Sequence, residues 1–236
     1  MYAIPTSLLI ATSTIADGNM SFVWGPEEEV ATNREKFLSE YNLTSADCVV
    51  MSCDHKDEIT IVDSTHKNTK ILTEAFITKE KGVVLFLLTA DCLPIVFYDP
   101  VQEVVALAHL GRKPTVLRLT NKVINKLQTE FGSDPKDILA YIGPGIHKES
   151  YIIDRPAELK ILPDWQRFLT EIGTDKIQID IVGYNQAQML KAGLLPENIF
   201  IDPTDTATSN DYFSHYRSER ITGEPEGRFA TVVVLK

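Results

Sequence analysis

Thr89-Ala-Asp-Cys-Leu-Pro-Ile-Val-Phe-Tyr-Asp-Pro100, followed by Val104-Val-Ala-Leu-Ala-His-Leu-Gly-Arg-Lys-Pro-Thr115, decides the fold. Leu93–Tyr98 and Val104–Ala108 are apolar runs of strand length joined through Asp99-Pro100, so they read as a strand pair. Each run carries chemistry at its rim. Asp91 and Cys92 stand just before the first, and His109 closes the second, two residues ahead of Gly111-Arg-Lys113. Side chains at strand ends can converge where the backbone leaves the core.

Working outward, Ala75–Thr78 and Val83–Leu88 read as another pair around Lys81-Gly82. Val49–Met51 and Ile59–Val62 read as strands flanking Cys53-Asp-His55-Lys. Residues 3–14 read as an opening strand. Glu27 to Tyr41 reads as a helix whose acidic first turn suits its dipole. Past the central pair, Val116, Leu119, Val123, Leu127 and Phe131 repeat at helical spacing, with Pro114 in the first turn and Gly132 as the stop. Ile138–Ile142 is a strand, Trp165–Ile172 and Ile179–Ala192 are helices, and Asn198–Ile201 and Phe229–Leu235 are late strands. The polar stretch from Pro203 to Arg228 has the length of a functional loop. Early strand pairs with helices between later ones give α/β (α+β) layering: mixed β-sheets flanked by helices in one undivided domain over residues 1–236.

Composition narrows the classes. The 236 residues are 44% hydrophobic and 24% charged, which is the globular range. The formal net charge of -10 argues against a nucleic acid or an anionic membrane as partner, because phosphate polymers repel such a surface. Three cysteines, Cys48, Cys53 and Cys92, make no disulfide framework. No signal segment or bilayer-length apolar run is visible, so a soluble protein of a reducing compartment, most simply the cytoplasm, is expected.

A thiolate and neutral imidazoles are good ligands for zinc or copper, and His55, Cys92 and His109 all stand near strand ends. The plainer alternative is a small buried thiol and satisfied polar rings; the residues alone leave both open. Gly111-Arg112-Lys113 joins a strand end to a helix start, a place that suits an anion, although basic residues there commonly face solvent. Asn185 on a helix, and Ser214-His-Tyr-Arg217 and Arg228 in or beside the late loop, read either as solvated surface or as groups closing over a site.

The order of these motifs resembles the laccase-domain family, once called multicopper polyphenol oxidases and now described as zinc-dependent purine nucleoside phosphorylases that also deaminate adenosine. The likeness runs through Asn33-Arg34, His55, Thr89-Ala-Asp-Cys92-Leu-Pro-Ile, His109-Leu-Gly111, Ile142-Gly-Pro-Gly-Ile, Asn185-Gln-Ala-Gln188, Phe213-Ser-His and Gly227-Arg228. It implies α/β/β/α-like layers. It implies zinc, with copper as the alternative ion, held by His55, Cys92 and His109. It also implies a small-molecule purine nucleoside and phosphate as ligands. On that reading Asp91, Cys92 and His109 serve catalysis, and Arg112, Lys113, Asn185, Arg217 and Arg228 contact substrate. The family pattern H-A-G-W-R-G is His109-Leu-Gly-Arg-Lys-Pro114 here, so Arg112 takes the Trp position and Lys113 the Arg position. Three rival expectations are a cysteine hydrolase or amidase of peptidoglycan precursors with Cys92 as nucleophile and His109 as base, a copper polyphenol oxidase, and an inactive zinc-binding scaffold.

Overall fold

The two runs around Asp99-Pro100 pair antiparallel, with Pro94 opposite His109 and Tyr98 opposite Val105, and the molecule is assembled around them. The computed structural model describes residues 5–155 and 163–236. In chain order the first elements are β1 (Leu8–Thr12), α1 (Glu27–Ser39), β2 (Cys48–Ser52), β3 (Ile59–Ile61), β4 (Thr69–Leu72), β5 (Ala75–Thr78), β6 (Val84–Thr89), β7 (Leu93–Asp99) and β8 (Val104–Leu110). There follow α2 (Arg112–Val116), α3 (Leu119–Phe131), β9 (Leu139–Ile142), β10 (Ile152–Asp154), β11 (Leu169–Ile172), β12 (Lys176–Ile179), α4 (Ile181–Lys191), β13 (Ile199–Ile201), α5 (His215–Ser218) and β14 (Phe229–Leu235).

A five-stranded sheet runs β1-β14-β6-β2-β4 and a six-stranded sheet runs β13-β9-β7-β8-β5-β3; both mix parallel and antiparallel pairs. A small antiparallel sheet, β10-β12-β11, lies apart. The burial pattern explains the stacking. β7 and β8 are buried at every position. Alternate residues go to opposite faces, so each strand packs on two sides. Leu93, Ile95 and Phe97 join α3 and α4 residues such as Val123 and Met189 in one core. Val96, Tyr98, Val105 and Leu107 meet Val49, Leu85, Leu87 and Val233 of the other sheet in a second. The far side of the five-stranded sheet packs Phe86 and Val232 against Phe37 and Leu38 of α1. The layers are therefore helix, sheet, sheet, helix, a mixed α+β fold.

Several elements differ from their sequence reading. β5 and β6 do not pair: β5 hydrogen-bonds β8 and β3, while β6 hydrogen-bonds β14 and β2. The Lys81-Gly82 turn carries the chain from one sheet to the other. The long helix is two. Arg118, at φ 60°, breaks it between α2 and α3, and the break brings Thr115 and Thr120 onto one buried amide. Asn185 donates to Thr115 Oγ1 (3.0 Å) and accepts from Thr120 Oγ1 (2.7 Å). Trp165–Ile172 is not a helix. A short 3-10 segment, Pro163–Phe168, leads into β11, and the hairpin to β12 turns at Gly173 with φ +65°. Residues 3 and 4 of the expected opening strand lie outside the described residues, and its ordered part is β1. The late polar stretch contains α5. No helix among the described residues is long and apolar enough to cross a membrane.

Candidate metal centre

His109 sits near the end of β8 on the same face as Val105 and Leu107, so its ring enters the space between the sheets. Cys92 immediately precedes β7, and the Pro94–His109 register brings it alongside. His55 stands in the turn after β2 with φ 63°, a conformation uncommon for a residue other than glycine. One donor atom from each of His55, Cys92 and His109 lies within 4.8 Å of the other two. The two imidazole centroids are 5.3 Å apart.

Glu74 explains how that turn is held. It is fully buried just ahead of β5. Its Oε1 accepts backbone N–H bonds from Asp54 (2.7 Å), His55 (2.6 Å) and Lys56 (3.3 Å), and its Oε2 is 2.6 Å from His109 Nδ1. A buried carboxylate is stable only when its lone pairs are filled, and here one side chain ties both histidines together. A carboxylate only accepts, so Nδ1 of His109 carries a proton and faces Glu74, which leaves Nε2 as the nitrogen turned away from the carboxylate. Cys53 belongs to a second set, with one donor atom from each of Cys53, Glu74 and His109 also within 4.8 Å of one another. Sequence reasoning missed both residues. Cys53 stands two residues before His55 and could have been seen, whereas a glutamate beside an apolar strand is an ordinary surface feature until its burial is known.

The electrostatics favour a thiolate. Burial pushes the Cys92 thiol up, but the charges and hydrogen bonds of His109 and His55 outweigh it and bring it down to about 6. For His109, burial lowers the pKa while Cys53 and Cys92 raise it, and the raising side wins. Cys48, by contrast, is pushed up to about 12, chiefly by burial. The thiol has no spare room. A Cβ on Gly111 would stand 2.7 Å from Cys92 Sγ, although the backbone there, at φ -79°, is ordinary. Two imidazoles, one thiolate-prone sulfur, a fixed tautomer and a close backbone fit a zinc ion by donor chemistry.

The three donors line a cavity of about 820 Å³, which also takes in Trp24, Arg34, Thr89 and Arg228. Other residues singled out from the sequence lie elsewhere. Asp91, at φ 84°, accepts from Thr206 Oγ1 (2.7 Å) and from the Tyr216 backbone N–H (2.6 Å), and so tethers the late loop. Asn185 is fully buried between α2, α3 and α4. Arg217 spends its guanidinium inside the late loop, on the carbonyls of Thr206, Ser209 and Tyr212 and on Glu224. Arg112 is half-buried and engages Tyr151, while Lys113 is exposed; neither lines the cavity.

A family model described as multi-copper polyphenol oxidoreductase laccase matches residues 10–236. The chain belongs to that laccase family. Among its relatives, the purine nucleoside phosphorylase YlmD of Bacillus subtilis (strain 168) is 28% identical over 209 residues, covering 84% of this chain and 75% of the relative. The purine nucleoside phosphorylase SCO2081 of Streptomyces coelicolor is 29% identical over 199 residues, covering 84% and 81%. The crystal structure of the hypothetical protein YfiH of Bacillus licheniformis aligns with this laccase-family chain at a TM-score of 0.88 and 25% identity, over 97% of this chain and 93% of that one.

Proposed function

We propose that the chain is a zinc-dependent purine nucleoside phosphorylase of the cytoplasm that also deaminates adenosine. The observation that carries the reading is the meeting of His55, Cys92 and His109 on the wall of a nucleoside-sized cavity. The names of the relatives support the substrate class. His55, Cys92 and His109 would hold the ion, and a zinc ion there supplies Lewis-acid polarisation of a substrate oxygen.

In phosphorolysis a phosphate oxygen forms a bond to C1′ of the ribose as the glycosidic bond breaks, and the bonding pair leaves with the purine. Glu74 positions both imidazoles and holds the proton on His109 Nδ1. Phe22 and Trp24, half-exposed on the cavity wall, offer ring faces to a purine, and Arg228 contacts substrate from the same wall. Asp91 and Arg217 hold the loop that packs beside Cys92, and Asn185 ties α4 to α2 and α3. Three free cysteines suit a reducing compartment.

The test is to incubate pure zinc-loaded protein with inosine or adenosine, with and without phosphate, and to separate the products. Phosphate-dependent release of free base is expected, and conversion of adenosine to inosine without phosphate reads the deaminase side. No turnover of any nucleoside with zinc fully bound would sink the reading. The depressed Cys92 thiol beside His109 favours one alternative, a metal-independent cysteine hydrolase. Full hydrolytic activity in metal-free protein, abolished by alkylating Cys92, would establish that instead.

A further inference from the structure

The cavity extends beyond the donor cluster onto the face of the five-stranded sheet that α1 covers, where Phe22, Arg34, Phe86 and Leu88 contribute to its wall. Arg34 projects from α1, and its Nε donates to the Met20 carbonyl at 2.8 Å. Its guanidinium lies over two rings, 4.3 Å from the Phe22 centroid and 5.0 Å from the Phe86 centroid. Such stacking fixes a cation and leaves the edge of the guanidinium plane for hydrogen bonding. Among the described residues that edge is unused: its Nη groups have no acceptor, and no carboxylate pairs with the side chain.

The contrast with neighbouring cations is informative. Arg217 has every guanidinium nitrogen committed, and Arg228 pairs with Glu226. Glu35, the acid on the cavity wall next to Arg34 in sequence, accepts from the Ser45 backbone N–H at 3.2 Å. Lys70, exposed on the rim, adds a second positive charge. Burial lowers the Arg34 pKa, with Cys48 opposing, so the fold carries the cost of a half-buried cation that no carboxylate among the described residues neutralises. A second observation points to a ligand independently. Thr89, at the end of β6, is 2% exposed, lines the same cavity, and its Oγ1 has no hydrogen-bond partner among the described residues. Buried hydroxyls are normally satisfied, so this one awaits a partner that enters the cavity.

We propose that the cavity takes a ligand bearing a phosphate group, with Arg34 as the phosphate anchor and the Thr89 hydroxyl as a hydrogen-bond partner elsewhere on its wall. This deepens the phosphorylase reading and rests on it only for the nature of the substrate. A planar fork of donors suits two oxygens of one phosphate, whereas Arg112 and Lys113 lie off the cavity. The phosphate belongs either to the inorganic co-substrate or to a nucleotide.

Calorimetric titration of the zinc-loaded full chain with sodium phosphate and, separately, with adenosine 5′-monophosphate tests the assignment. At least one anion should bind. R34Q should weaken it at least tenfold and R34K at least threefold, because a point charge lacks the fork. T89V should weaken it at least twofold. K81Q, an exposed cation off the cavity wall, should stay within twofold. Zinc stoichiometry and melting temperature report folding; if R34Q does not fold, R34K and T89V decide. Arg34-dependent binding of inorganic phosphate assigns the co-substrate, and Arg34-dependent binding of the nucleotide alone assigns a substrate-borne phosphate. Binding of neither anion, full affinity in R34K and T89V, or an equal loss in K81Q overturns the proposal. Nucleoside turnover is followed on the same preparations. Arg34-dependent anion binding without turnover would defeat the phosphorylase reading alone. Turnover whose phosphate KM is unchanged in R34K, with anion binding equally unchanged, would defeat the Arg34 assignment alone.

Discussion

Two carboxylates flank the centre, and they work in opposite directions. Glu74 is fully buried and binds inward, gathering three backbone N–H groups of the turn that carries His55 and the ring of His109. Asp91, next to Cys92, binds outward to Thr206 and Tyr216, residues 115 and 125 positions away in the chain. The first fixes where the donors point. The second fixes where a distant loop sits relative to a donor. Adjacency in sequence is therefore a poor guide to influence on the centre. Asp91 touches Cys92 in the chain and serves the loop, while Glu74, 18 residues before Cys92 in the numbering, serves the metal donors.

The comparison is bracketed at its upper end by removing a donor itself. C92A should lose zinc, measured by elemental analysis after dialysis, and nucleoside turnover should fall by at least 100-fold. Next, E74Q should weaken zinc by about 10–100-fold in a chelator competition, the range typical of losing the partner that orients a ligand histidine. The amide N–H₂ of glutamine would face the protonated Nδ1 of His109, so the ring must turn or lose its partner. Unchanged zinc affinity in E74Q would remove Glu74 from its assigned role. D91A should leave zinc stoichiometry intact and destabilise the fold by about 1–3 kcal/mol in denaturant melts, the cost of stranding buried donors. A loss of zinc in D91A equal to that in E74Q would erase the distinction between the two acids. D91N should be milder, about 1 kcal/mol, because the Thr206 hydroxyl can turn to accept from the new amide and asparagine tolerates the positive φ. Smallest of all, C48S should change neither zinc content nor turnover, since Cys48, pushed up to about 12 by burial, belongs to the core beneath α1.

How far the sequence could be read follows the same division. The β7–β8 pair was legible because two apolar runs meet at an Asp-Pro turn, and the three donors followed from strand ends together with the family likeness. β5 and β6 were legible as strands but not as members of different sheets. Strands buried on both faces lose the alternation that would reveal which side each one faces. The α2–α3 break was hidden because the apolar spacing from Val116 to Phe131 runs on through Arg118, whose positive φ no periodicity records. Arg217 and Asn185 look like ligand-facing residues in a one-dimensional string. Only their bonds show them holding the scaffold. Arg34 was visible only as part of a motif, and its unspent hydrogen-bonding edge emerges once Phe22 and Phe86 are seen around it.

Gly111 marks the point where this chain keeps the family's recognisable pattern while departing from it on both sides. Its neighbours on both sides, Leu110 and Arg112-Lys-Pro114, depart from the H-A-G-W-R-G form, yet the glycine stays, in a backbone geometry that any amino acid could adopt. What forbids a side chain there is one sulfur atom 2.7 Å from where the first carbon would sit. A single added methyl would act as a wedge driven against that sulfur, with no change in charge. Position 111 is thus a purely mechanical handle on where the Cys92 sulfur sits.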